Sequence, residues 1–248
     1  MISHAYIHGG LGNQMFQYAA AFAHSRKMGV DLFYPVKPYR PNTTDCFNLY
    51  EVFHLSSKKV GRVGPNYQEP KFQYTPIPDL KVLTLHGYYQ SERYFENCKE
   101  EIRKEFTFRK KSNTVVKPNT TSIHVRRGDY LKFPEHHPLC SMDYYNSAIS
   151  MFEDQNFLVF SDDIKWCKEN FKGDKFTFCE GNSSEEDLQI MAKCDNHIMA
   201  NSSFSWWGAW LGTNQDKVIV SPKKWFGKAY EDWASNTSDL YPPKWVVL

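Results

Sequence analysis

From about residue 121 onward, short apolar runs alternate with helical patterns at a regular spacing, and this alternation limits the fold more than any other feature. The strand-length runs are Ser122–Val125, Phe157–Phe160, Lys175–Phe178, His197–Ala200 and Lys217–Val220. Between them lie helical patterns over Tyr144–Phe152, Ile164–Phe171, Glu185–Cys194 and Phe204–Leu211. Such a rhythm predicts βαβ units and a parallel sheet. The runs are almost continuously apolar, as strands are when helices cover both faces of their sheet.

The N-terminal half begins in the same way. Ala5–Ile7 reads as a strand, Gly9-Gly10-Leu11-Gly12 as a tight turn, and Asn13–Met28 as a long helix ended by Gly29. Asp31–Val36 resumes a strand. Residues 37–80 are punctuated by Pro and Asn, with a short helix expected near Asn48–Phe53. Lys81–Tyr89 reads as a strand, and Ser91 as the cap of a helix running to about Phe106. The polar stretch Lys110–Thr121 is the linker candidate, which predicts an N-terminal α/β domain over 1–115 and a second over 116–248.

Composition excludes several classes. The 248 residues carry 30 basic and 28 acidic side chains, a net charge of +2, too balanced for a protein that tracks nucleic-acid phosphates. No apolar run approaches the roughly 18 residues of a membrane span. Met1-Ile2-Ser3-His4 lacks the features of a signal peptide. The expectation is therefore a chain with no transmembrane segment, cytoplasmic or peripheral at a membrane. The 6 cysteines are scattered with no CxxC pair, which reads as reduced thiols. Five N-x-[ST] sequons, at Asn42, Asn119, Asn182, Asn201 and Asn236, read as polar turns. Aromatic residues reach 16%, enough to fill a core and also to offer platforms for sugar rings.

In an open parallel sheet, ligands bind beyond the carboxyl ends of the strands, so the residues that follow each strand are the candidates. They are His124-Val125-Arg126-Arg127-Gly128-Asp129-Tyr130, Ser161-Asp162-Asp163, Glu180-Gly181-Asn182, Asn201-Ser202-Ser203-Phe204-Ser205 and Ser221-Pro222. Side chains two apart on a strand share a face, so His124 and Arg126 point together and Arg127 points away. An arginine beside the N-terminus of a helix suits a diphosphate; the plain alternative is an ion pair of Arg126 with Asp129 or Asp162. Ser184-Glu185-Glu186-Asp187 fits a capping box, while the Asp187 carboxylate could also read the N–H edge of guanine. Asp162-Asp163 could ligate Mg²⁺ or cap a helix. Trp206, Trp207 and Trp210 fit a core better than a sugar platform, and His136-His137-Pro138 sits in a polar loop without an assigned role. Gly10-x-Gly12 lacks the last glycine of a dinucleotide fingerprint.

Taken together, Gly9-Gly10-Leu11-Gly12-Asn13-Gln14-Met15-Phe16-Gln17-Tyr18, the segment His124–Tyr130, Phe160-Ser161-Asp162-Asp163 and Asn201-Ser202-Ser203-Phe204-Ser205-Trp206-Trp207 closely resemble the α1,2-fucosyltransferases of glycosyltransferase family 11. The motifs run in the family's order from residue 9 to beyond 210. Because animal members carry an N-terminal membrane anchor and this sequence shows none, the resemblance is to the bacterial or viral type. The region 37–80 is short for the family.

The resemblance implies a GT-B-like α/β fold, two facing Rossmann-like domains with mostly parallel sheets, the second holding GDP-fucose and the acceptor lying in the cleft. It implies inverting, metal-independent transfer of L-fucose to the 2-hydroxyl of a terminal galactose, with no cofactor and no bound metal. On the same ground His124 meets the guanine, Arg126 binds the pyrophosphate, Asp187 reads the base, and Ser202, Ser203, Phe204 and Ser205 form the phosphate loop. Asn13 and Gln14 contact fucose or acceptor. Asp129 is the candidate catalytic base, the alternative being that it only orients an arginine. The competing readings are a fucosyltransferase of another linkage such as a protein O-fucosyl type, a non-catalytic carbohydrate-binding protein, and a dehydrogenase built on the glycine turn.

Overall fold

The computed structural model describes residues 1–4, 9–34, 49–59 and 64–248. It divides into two compact units, Met1–Lys110 with Trp233–Pro242, and Lys111–Asp232 with Pro243–Leu248. Each is built on a sheet whose paired strands all run parallel.

The first unit runs β1 (Ile2–His4), α1 (Leu11–Met28), β2 (Leu32–Phe33), α2 (Leu49–Val52), β3 (Asn66–Gln68), β4 (Leu83–His86) and α3 (Lys99–Glu105). Its strand order is β2-β1-β4-β3. Helix α1 is interior on nearly every side: Met15, Phe16, Tyr18 and Ala19-Ala20-Ala21 are all at 0% exposure. The small alanines let neighbouring elements approach the helix closely, and Gly29 ends it in the left-handed region at φ 63°. The strand expected at Ala5–Ile7 and the end of the one expected over Asp31–Val36 lie outside the described residues.

Two features of this unit differ from the sequence reading. Ser91 caps only a 3₁₀ turn, Glu92–Tyr94, accepting the Arg93 N–H at 3.3 Å. A second 3₁₀ turn, Glu96–Cys98, follows before α3 begins. The break falls at Phe95, which leaves helical backbone angles (φ −132°, ψ 20°) and sinks to 1% exposure beside Phe16. Burial of that ring outweighs continuity of the helix. The segment 233–242, which the linear reading kept with the second domain, belongs to the first unit. Trp233 accepts the Phe72 N–H, and Asp239 accepts the Tyr74 N–H through Oδ2 and the Ser91 hydroxyl through its carbonyl.

The second unit runs β5 (Thr120–Val125), α4 (Met142–Ile149), β6 (Asn156–Ser161), α5 (Ile164–Asn170), β7 (Phe176–Phe178), α6 (Ser184–Ala192), β8 (Asn196–Ile198), α7 (Ser203–Leu211), β9 (Ile219–Ser221) and β10 (Val246–Val247). Strand order is β10-β9-β8-β5-β6-β7. The chain moves outward from β5 to β7, returns to β8 beside β5, and moves outward again to β10. This is the strand order of the doubly wound nucleotide-binding fold, and it places a topological switch between β5 and β8. All six β5 residues are buried, as a central strand requires. Trp206 and Trp207 stand at 0% exposure and Trp210 at 3%, packed on one another and on Trp245, so these indoles are core. Among the described residues no cysteine is paired, and no helix is long and apolar enough to cross a membrane.

Candidate active site

The two segments that leave the switch point of the second sheet carry most of the polar residues singled out in the sequence. Beyond β5 the chain turns at Arg126–Gly128 into a 3₁₀ turn, Asp129–Leu131; beyond β8 it turns at Asn201–Ser202 into α7. Arg126 sits between two carboxylates, Nη2 donating to Asp129 Oδ1 at 2.6 Å and Nη1 lying 3.1 Å from Asp162 Oδ2. Its guanidinium also lies 5.4 Å from the Tyr130 ring centroid. Both ion pairs weighed against an anion-binding role are therefore present. They hold the guanidinium at the rim, with its side chain 36% exposed.

Arg127 is employed otherwise. Its Nε donates to Asp163 Oδ2 at 3.0 Å, its guanidinium stacks 4.1 Å from the Trp166 ring, and its backbone N–H donates to Asp162 Oδ1 at 2.9 Å. Asp163 in turn caps α5 by accepting the Trp166 N–H, and the hydrogen bond from Arg127 holds its carboxyl below the usual range. Asp162 and Asp163 thus serve arginines and backbone amides in this structure. Gly128 makes the arrangement possible, because a Cβ there would lie 2.5 Å from Asp162 Oδ2.

His124 is 7% exposed with its ring 5.6 Å from that of Phe204. Burial, and then the charge of Arg126, lower its pKa to about 3, so the imidazole is neutral. Its Nδ1 is buried without a hydrogen-bond partner. Buried polar atoms are almost always satisfied, so this orphan at the switch point stands out.

At the start of α7, Ser202 occupies the N-cap with an extended backbone and makes no side-chain cap. The first-turn N–H groups of a helix have no intrahelical acceptors and sit at the positive end of its dipole. Ser205 differs from its neighbours in the motif: at 1% exposure its hydroxyl donates to Ala200 and Ser202 carbonyls, so it shapes the turn and its side chain cannot reach a ligand. Asp187 is not the acid of a capping box. The cap of α6 is Ser183, whose hydroxyl accepts the Glu186 N–H, and Asp187 lies one residue further on. Its carboxylate accepts from Asn182 Nδ2 at 2.9 Å, and burial raises its pKa.

Two residues of the strand-end clusters to which the sequence assigns no role, Asn201 and Tyr130, hold this rim together. Asn201, 2% exposed, donates to the carbonyls of Pro138 and Trp225, and its own carbonyl accepts the Tyr130 hydroxyl at 3.0 Å. Tyr130 stacks on His137 at 4.6 Å, and His136 and His137 both pack on Tyr230. The paired histidines are therefore the packing that supports the Asp129 turn. The sequence signal was the Asn at the strand end, which reads there as a turn residue.

The first sheet also has a switch point, between β1 and β4. Asn13, on the first turn of α1, accepts a hydrogen bond from Gln90 Nε2 at 2.8 Å, and Gln90 follows β4. Gly9 lies in the left-handed region (φ +77°), and a Cβ on it would lie 2.3 Å from Asn13 Nδ2, so the glycine gives Asn13 its place. Gln14 is at 0% exposure and donates to the Gly9 carbonyl, which makes it a support of the turn with no access to a ligand. Tyr89 adopts φ 55° just before Gln90, a conformation uncommon for a bulky residue. Glu69 holds it there, accepting the N–H groups of Tyr88 and Tyr89 at 2.7 and 3.0 Å, while burial pushes the Glu69 carboxyl up to about 7.

The family description that matches residues 65–248 is "Glycosyl transferase family 11". An α-1,2-colitosyltransferase of Escherichia coli is 34% identical over 285 aligned residues, covering 97% of this chain and 96% of the relative. The galactoside α-(1,2)-fucosyltransferase 2 of Oryctolagus cuniculus is 26% identical, covering 97% of this chain and 75% of its own. Among solved structures, POFUT1 in complex with GDP-fucose superposes with a TM-score of 0.56 at 11% identity, over 88% of this chain and 97% of that one. NodZ α-1,6-fucosyltransferase soaked with GDP-fucose does so with 0.52 at 12% identity, over 85% and 92%. At such identities the superpositions report the fold.

Proposed function

The chain belongs to glycosyltransferase family 11 and is a glycosyltransferase, and from this premise we propose that it moves L-fucose from GDP-fucose to the 2-hydroxyl of a terminal galactose, with inversion and without a metal ion. The observation that carries the reading is the grouping at the β5–β8 switch point. There Arg126, the N-terminus of α7 and a buried neutral His124 with an unpaired Nδ1 meet, as a nucleoside diphosphate requires.

Cleavage of the bond between fucose and phosphate leaves negative charge on GDP and positive character on the sugar. Arg126 and the first-turn N–H groups of α7 stabilise that charge. Arg126 is held by Asp129 and Asp162. A phosphate oxygen that binds Nη2 displaces Asp129, whose side chain is 57% exposed and can turn away. The freed carboxylate then accepts the proton of the attacking hydroxyl as general base. Asp162 stays, because its other oxygen is fixed on the Arg127 N–H, and acts as a positioning residue. His124 and Asp187 take the guanine, and Asn13 is the candidate contact for fucose or acceptor.

The name of the bacterial relative, a colitosyltransferase, supports a second reading in which a colitosyl donor takes the place of GDP-fucose. Family membership removes the lectin and dehydrogenase readings. The test is turnover with both donors against a galactoside panel, with the linkage determined by NMR and EDTA present in a parallel series. Activity abolished by EDTA and restored by Mg²⁺ or Mn²⁺ overturns the metal-independent mechanism. A product linked elsewhere than the 2-hydroxyl overturns the acceptor assignment.

A further inference from the structure

The first unit carries a second concavity, of about 420 Å³, between the C-terminal half of α1 and the turns that precede α3. Small-molecule sites fall in the range of about 300–1,000 Å³. His24, on its wall, lies eleven residues beyond Asn13 in α1, about 16 Å along the helix axis. The cavity is thus separate from the Asn13–Gln90 pair.

Its walls mix carbon surface with hydrogen-bonding groups. Tyr94 and Phe95 are buried and present ring carbon; Arg26, Asn97 and Glu101 bring donors and acceptors. His24 is 4% exposed, and its Nε2 has no hydrogen-bond partner. Burial lowers its pKa, and the Leu80 carbonyl takes a hydrogen bond from the ring. A neutral imidazole that donates through Nδ1 offers Nε2 as a bare acceptor. Cys98 lies buried in the same wall.

The charge pattern selects the ligand. Lys27 is paired with Asp79 at 2.5 Å, and Arg93 lies 3.9 Å from Asp239 with its guanidinium over Tyr74. The Arg26 guanidinium lies 4.9 Å from the Phe22 ring centroid, and neither it nor Glu101, opposite in sign, has an ion-pair partner among the described residues. The C-terminal end of α1 adds a negative dipole. No net positive charge remains to attract a phosphate. A neutral polyhydroxylated ring fits instead, since each hydroxyl can donate to His24 or Glu101 and accept from Arg26 or Asn97, while its C–H face packs on the aromatic wall.

We propose that this cavity is a saccharide-binding site distinct from the catalytic rim, taking a neutral mono- or disaccharide unit of a glycan that is not the one being modified. The proposal rests on the chain being a glycosyltransferase and is independent of its donor and linkage. The test is titration of the ¹⁵N-labelled full chain with lactose and N-acetyllactosamine, with inorganic phosphate and sialyllactose in parallel. Expected are saturable amide shifts over residues 23–26 and 97–101 with the neutral sugars. They persist in Arg126→Ala and vanish in the double variant Arg26→Ala, Glu101→Ala, whose melting temperature and GDP binding match the parent. If that variant does not fold, Asn97→Ala serves, with the same shifts weakened several-fold. No saturable shift there with either neutral sugar, shifts unaltered in the variants, or a response confined to phosphate or sialyllactose overturns the proposal. Loss of transfer activity with cavity binding intact strikes the catalytic reading alone.

Discussion

Nη1 of Arg126 lies 3.1 Å from Oδ2 of Asp162, while the other oxygen of that carboxylate accepts the backbone N–H of Arg127 at 2.9 Å. One carboxylate therefore fixes both the turn after β5 and the guanidinium that the turn presents. Arg126→Lys retains the charge and loses the planar fork. Because charge grows on the leaving phosphate during transfer, kcat should fall on the order of 10²-fold, with a smaller change in GDP-fucose affinity. Asp162→Asn should also lower kcat more than KM, by roughly 10-fold, through misplacement of Arg126. Steady-state kinetics of the two variants check this, and unchanged turnover in Arg126→Lys removes the anion-site assignment.

Arg127 gives the contrast. Arg127→Lys loses the contact with Asp163 and the stacking on Trp166, so the expected loss is in stability, with kcat within about two-fold of the parent and a partly exposed pair worth roughly 0–1 kcal/mol. The folded Asp163 carboxyl is depressed by that hydrogen bond. Its contribution is present above the unfolded carboxyl pKa and fades as pH falls through the folded one. Thermal melts of parent and variant should therefore converge on strong acidification. A variant that melts normally but loses turnover would place the anion site on the wrong arginine.

At α6, cap and base reader occupy different residues and can be separated. Ser183→Ala should cost about 1 kcal/mol of stability and leave GDP binding intact. Asp187→Asn should weaken GDP binding by roughly 1.5–3 kcal/mol, the scale of a charge-assisted hydrogen bond, with little change in melting temperature. Calorimetry with GDP and melting curves for both variants distinguish them, and equal effects of the two would mean that Asp187 supports the helix only.

Acid stability follows from the buried histidines. His124 and His197 are held neutral with pKa about 3, by burial aided by Arg126 and Lys217 respectively. Unfolded histidines take protons near 6.5. Below that pH the unfolded state binds more protons, and stability should fall by up to about 2 kcal/mol per histidine at pH 5. Glu69 acts in the opposite sense: its folded carboxyl sits at about 7, so stability falls as pH rises from the unfolded value of about 4.5 through 7. The two trends place maximum stability near pH 6.5. Denaturant midpoints at pH 5, 6.5 and 8 measure it, and His197→Gln should flatten the acid limb.

How far the sequence reaches is clearest at particular residues. The alternation of apolar runs and helices defines the parallel sheet of the second unit, because strand and helix periods are local properties of the chain. Arg126 and Arg127 lie beyond Val125, where β5 ends, and take different partners, Asp129 with Asp162 and Asp163 with Trp166, while Gly9 and the serines before α7 can be recognised as turns. Other assignments depend on distant partners. Asp187 leaves the capping box because Ser183 takes the cap. Gln14 and Ser205 turn out to be buried supports. Trp206 and Trp207 are core because Trp245 closes over Trp206 from the far end of the chain.

Sequence by itself determined the elements, their order and the polar clusters at strand ends, all set by periodicity and backbone preference over a few residues. Only the tertiary structure decided which clusters meet. It placed β8 beside β5, so that the Asn201 carbonyl accepts the Tyr130 hydroxyl of the turn after β5, and β4 beside β1, so that Gln90 reaches Asn13. It also brought 233–242 back to the first unit and left His124 Nδ1 without a partner. Strand pairing and burial depend on residues tens of positions apart, and neither local propensity nor spacing records that separation.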